Sequence, residues 1–79
     1  MSPTIFRSGP YRFFFYSGDH VEPPHIHVQK DARIAKFWLK PVRLQSSGGF
    51  RPNEICRIQR IIEKRESDFL EYWHEYFDD

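Results

Sequence analysis

Between Asp19 and His27 the chain reads Asp-His-Val-Glu-Pro-Pro-His-Ile-His, three histidines and two carboxylates within nine residues. Imidazole and carboxylate together suit divalent ions of the Zn²⁺, Fe²⁺ and Ni²⁺ type, above all where a coordination position stays open. Side chains two apart on a strand share one face and stand about 6.5–7 Å apart, a spacing at which His25 and His27 chelate a single ion. His20, held by the turn that ends in Pro23-Pro24, is the expected third ligand. Asp19 or Glu22 would then act as a further ligand or orient an imidazole from behind. The metal reading is therefore His20, His25 and His27 around a divalent transition ion.

The same residues support a second chemistry that needs no metal. Imidazoles titrate near neutral pH, so His25 and His27, with His20 beside them, would serve as catalytic base and acid. With Arg12, Arg33 or Lys36 neutralising a phosphate, such a pair would cleave RNA through its own 2′-hydroxyl. A third reading is binding without chemistry. Lys36 and Trp38 alternate with Ala35, Phe37 and Leu39, so a face carrying His25, His27, Lys36 and Trp38, joined by Arg12, would mix cations with rings and grip single-stranded nucleic acid. The plain alternative is that the histidines are solvated or cap a turn and Trp38 is core.

These residues must be positioned by a small sheet. Tyr11 to Tyr16 reads Tyr-Arg-Phe-Phe-Phe-Tyr, a β-favouring run entered through Gly9-Pro10 and left through Ser17-Gly18-Asp19. Thr4 to Arg7 is an earlier short strand that pairs with it. Pro23-Pro24 imposes extended backbone ahead of His25 to Gln29, and Lys30-Asp31 connects tightly to the alternating run Arg33 to Leu39. Pro41 interrupts, and Val42 to Leu44 continues as a short edge strand. From Pro52 the period changes: Ile55, Ile58, Ile62, Phe69, Trp73 and Tyr76 or Phe77 recur at steps of three, four and seven, as on an amphipathic helix. Ser67 and Asp68 would allow a fresh start near Arg65, but the step from Ile62 to Phe69 favours continuity, with a kink or two helices as the alternative. Unbroken, the helix is about 26 residues and ~39 Å long, more than so small a sheet covers. The expected fold is α+β: three to four short antiparallel strands within 4–46, a loop at 46–51 and a long helical segment at 52–77, all in a single domain spanning 1–79.

That surplus length predicts an interface. Phe69, Tyr72, Trp73, Tyr76 and Phe77 are of types enriched where proteins meet, and would receive a small partner protein or a second copy of the chain. Arg51, Arg57, Arg60, Lys64 and Arg65 make the first half of the helix basic, while Asp68, Glu71, Glu75, Asp78 and Asp79 make its end acidic.

Composition sets the bounds. Seventy-nine residues bury too little surface for a large active-site cavity. Aromatic residues are 18% of the chain against 39% hydrophobic in all, so a few large rings dominate the core. Twelve basic and eleven acidic residues leave a net charge of +1, so any affinity for nucleic acid depends on local clustering. The single Cys56 has no internal disulfide partner and no chemical neighbour, which fits a reducing, cytoplasmic setting. No apolar run approaches the ~20 residues of a membrane span and no signal-peptide layout opens the chain, so no membrane role is expected.

One combination is specific: Pro3-Thr4-Ile5-Phe6, the aromatic run at 11–16, Asp19-His20 with Pro23-Pro24-His25-Ile26-His27-Val28, Ala35-Lys36-Phe37-Trp38-Leu39, and Trp73-His74-Glu75-Tyr76-Phe77. In these blocks the chain resembles the bacterial family of domain of unknown function 4160, nearly end to end. The resemblance implies a small prokaryotic protein, often encoded beside a second small protein in an arrangement similar to toxin and antitoxin pairs. It assigns no role to His20, His25 or His27. The expected function is thus a component of a toxin and antitoxin type module that binds a partner protein and nucleic acid. A ribonuclease or a small metalloprotein is the alternative.

Overall fold

Strands form along the aromatic and alternating runs, and the two-residue connections at 9–10, 31–32 and 40–41 are too short to let their strands do anything but pair antiparallel. The computed structural model describes residues 3–77. In it β1 (Thr4–Ser8), β2 (Tyr11–Phe14), β3 (His25–Lys30), β4 (Arg33–Leu39) and β5 (Val42–Ser46) make one antiparallel sheet in the order β1-β2-β3-β4-β5. The helices α1 (Pro52–Lys64) and α2 (Glu66–Phe77) follow. The α+β class is as expected, but the sheet has five strands rather than three or four. The edge strand expected at Val42 to Leu44 extends through Gln45 and Ser46, held by pairing Val42, Arg43, Leu44 and Ser46 with Leu39, Trp38, Phe37 and Lys36 of β4.

Alternation sorts the side chains. Phe13, Ile26, Val28, Ala35, Phe37 and Leu39 face the helices and bury completely against Ile58, Ile62 and Phe69. Glu54, in the first turn of α1, fastens the helix to the sheet by accepting hydrogen bonds from the Tyr11 hydroxyl (3.0 Å) and the Lys30 ammonium (2.8 Å). The Lys30 bond holds Glu54 below the usual carboxylate range. Its stabilising effect is therefore full above the ordinary carboxylate pKa and is lost as acid carries the pH down through the depressed folded value.

The helical segment is two helices, which corrects the single long one. The Arg65 amide donates back to the Ile62 carbonyl (3.0 Å), and the Arg65 carbonyl accepts from the Phe69 amide (2.9 Å), so one helix closes and the next opens on the same residue. A straight continuation would carry Phe69 and Trp73 beyond the sheet. Breaking at Arg65 brings them back onto it, leaving them 0% and 1% exposed. Phe69 and Trp73 are thus core rather than interface, and Phe77 is half-buried against that core, while Tyr72 and Tyr76 stay 38% and 40% exposed. Among the described residues no helix is long and apolar enough to cross a membrane.

The loop that carries the chain from sheet to helix depends on Gly48. Its φ of +59° is left-handed, and a Cβ there would stand 1.8 Å from the Ile34 carbonyl oxygen. Gly48→Ala is expected to cost about 3 kcal/mol, read as a lower urea midpoint at unchanged slope, because backbone must move as well as strain. A midpoint within error of wild type would contradict that close approach.

Candidate metal centre

β3 is buried on both faces although the helices cover only one. His25 is fully buried and His27 is 9% exposed, on the face away from Ile26 and Val28. Their cover is the connection from β2 to β3, residues 15–24, which folds back over the sheet instead of turning at once. The Asp19 amide donates to the Tyr16 carbonyl (3.0 Å), the Tyr16 amide donates to Asp19 Oδ2 (2.8 Å), and the Glu22 amide donates to the Asp19 carbonyl (3.0 Å) across a 3₁₀ turn at Asp19–Val21. Pro23-Pro24 then leads into β3, and the Leu39 amide donates to the Pro24 carbonyl (3.0 Å), tying the exit of the loop to β4.

This folding sets the Asp19 carboxylate between the two imidazoles. Oδ1 lies 3.2 Å from His25 Nε2, and Oδ2 lies 3.3 Å from His27 Nε2. One donor atom from each of the three residues falls within 4.8 Å of the others. His25 Nδ1 stands 2.8 Å from the Pro23 carbonyl oxygen, which can only accept, so Nδ1 carries a proton and Nε2 is the nitrogen that faces Asp19. Both Nε2 atoms are buried and neither makes a hydrogen bond. Rings wall the site: Phe14 stacks on His27 at 5.4 Å, Tyr16 lies 4.6 Å from the same ring, and Trp38 and Trp73 approach His25 at 5.7 and 5.1 Å. Burial lowers the His27 pKa more than Asp19 raises it, which favours the neutral, ligating form.

His20 does not join this group. Its ring lies 5.8 Å from Phe77 at the end of α2, and the residue is exposed. Neighbours in a 3₁₀ turn diverge by about 120°, so with Asp19 facing the sheet His20 must face elsewhere. Asp19, rather than the expected His20, is the residue the turn brings to His25 and His27. Spacing could not choose between adjacent residues of a turn.

Of the expected nucleic-acid residues, Arg12, Lys36 and Trp38 share the face of the imidazoles. The Arg12 guanidinium lies 4.3 Å over Phe14 and donates to Thr4 Oγ1 (2.7 Å) and Gln29 Oε1 (2.8 Å). Lys36 lies 4.9 Å over Trp38 and pairs with Glu22. Arg33 falls in the other set, with Ala35 and Phe37, and begins β4 on the helix side. Arg7 and Arg43, not singled out from the sequence, are exposed and pair in register with Arg12 and Trp38, which places them on the outer face. The acid and base pair of a metal-free ribonuclease must come within about 3 Å of the protons they move. Both Nε2 atoms are closed off from solvent.

A family model described as a domain of unknown function (DUF4160) matches residues 11–74, from the start of β2 to the last turn of α2 and through the whole cluster. No curated protein and no solved structure matches the chain.

Proposed function

The chain belongs to the DUF4160 family, which brings no activity with it, and from that premise we propose that it is a metal-binding protein holding one divalent first-row transition ion between Asp19, His25 and His27. One observation carries the reading: two buried imidazole nitrogens without hydrogen bonds converge on one carboxylate. Left alone, a neutral His25 would turn a lone pair toward a carboxylate oxygen at 3.2 Å, an unfavourable meeting of two acceptors. A cation between them removes the conflict for both histidines together. Donors at ~2.05 Å from a tetrahedral ion stand about 3.3 Å apart, close to each imidazole–carboxylate separation, while the three donors together lie within 4.8 Å of one another, and the Pro23 carbonyl behind His25 is the usual outer partner of a ligating imidazole. Two nitrogens and a carboxylate suit Zn²⁺ or Fe²⁺.

The test is the metal content of protein purified without a His tag, with the imidazole signals followed through a pH titration. About one equivalent of metal, with His25 and His27 shifted and protected from titration, is the expected result. Metal-free protein that takes up no Zn²⁺ and whose imidazoles titrate freely would end the proposal.

A second reading places the chain in a toxin and antitoxin type module that binds a partner protein and nucleic acid. The gathering of Arg7, Arg12, Lys36, Trp38 and Arg43 on the outer face favours its nucleic-acid part. Single-stranded RNA is expected to bind with an affinity that falls with salt, and Lys36→Ala is expected to flatten the log–log slope by about 0.7, one phosphate contact. Binding that is absent, or insensitive to salt, would remove this reading.

A further inference from the structure

We infer that the free edge of β1, with the groove between it and α2, is the docking site for an extended basic segment of another protein, which would add to the sheet as a further strand. β1 is terminal in the sheet and pairs only with β2 among the described residues, so its outer edge offers backbone donors and acceptors. Beside that edge runs a groove of about 320 Å³ lined by Thr4, Ile5, Tyr72, Glu75 and Tyr76. Tyr72 and Tyr76 are the most exposed aromatic residues of the helices, at 38% and 40%. A strand laid along β1 would place alternate side chains in the groove against these rings, the usual geometry of strand addition.

Charge decides the occupant. Asp68 is already paired with Arg65, whose guanidinium lies over Phe6 of β1, but Glu75 lines the groove and Glu71 is exposed one turn before it, so side chains entering beside Tyr72 and Tyr76 meet carboxylates. A lysine- or arginine-bearing segment fits this surface. A second copy fits less well, because antiparallel pairing of two β1 strands would bring two copies of the same acidic surface together. The opposite edge, β5, is a poorer acceptor of a basic strand, since its exposed run of Arg43, Leu44, Gln45 and Ser46 carries a cation and no carboxylate.

Two blocked ten-residue peptides make the probe, one alternating lysine and valine, the other glutamate and valine. The basic peptide is expected to bind at least about tenfold more tightly, to shift the amide signals of Thr4 to Ser8, and to lose about tenfold on Glu75→Lys or Tyr76→Ala. Both substitutions are on exposed positions, and a thermal melt confirms that each variant is folded. Equal affinity for the two peptides, unmoved β1 amides, shifts confined to the outer face, or a protein that sediments as a dimer through this edge would each overturn the inference.

Discussion

Saturating Zn²⁺ is expected to stabilise the protein by about 3–4 kcal/mol when free ion exceeds Kd by 10²–10³, a rise of some 15 °C or more in Tm for a domain of this size. The gain should vanish in His27→Ala and His25→Ala and persist in His20→Ala, whose ring lies apart against Phe77. Truncating a fully buried histidine also removes packing against Trp38 and Trp73, so Asp19→Asn is the sharper variant. It keeps the shape of the side chain, abolishes the anionic ligand, and lets an amide N–H donate to an imidazole nitrogen. Metal binding should therefore weaken by at least about tenfold while the metal-free protein stays as stable as wild type. If the atom between Asp19 and His25 is instead a proton, the site is an imidazolium and carboxylate pair. Asp19→Asn would then lower stability without metal, and Zn²⁺ would change nothing. The two chemistries thus give opposite results in one pair of melting curves.

Trp73→Ala is expected to cost about 3–5 kcal/mol, a large part of the roughly 4–12 kcal/mol available to a chain of this length. Trp73 is 1% exposed, meets the Phe15 ring edge-on at 5.2 Å and lies 5.1 Å from the His25 ring. The loss should appear as a lower urea midpoint, accompanied by weaker metal binding, because the same ring supports His25. Tyr72→Ala and Tyr76→Ala should cost much less, about 1 kcal/mol, since at 38% and 40% exposure both rings are only partly covered. Comparable midpoints for Trp73→Ala and Tyr72→Ala would mean that α2 does not lie on the sheet as described.

Much of this was legible from local pattern. Period-two alternation put Ile26 and Val28 on one face and His25 and His27 on the other, and the same rule, applied strictly, would have separated Arg33 from Lys36. The change to helical period after Pro52, and the apolar stripe through Ile55, Ile58 and Ile62, needed no knowledge of the rest of the molecule. Those features follow from backbone geometry alone, so the sequence by itself determined the α+β class and the presence of a histidine pair on one face of a strand. Three matters were decided by tertiary structure. The break at Arg65 is not written in the continuous apolar stripe; it arises because Phe69 and Trp73 gain more burial on the sheet than along a straight axis. The edge strand expected at Val42 to Leu44 runs on through Ser46 because β4 offers it a ladder. The choice of Asp19 over His20 depends on how residues 15–24 fold across β3, and that path is set by contacts with Tyr16, Pro23 and β4 far from the two side chains it sorts. Periodicity reports which face a residue belongs to within its own element, whereas the partner it meets there depends on free energy summed over the whole chain.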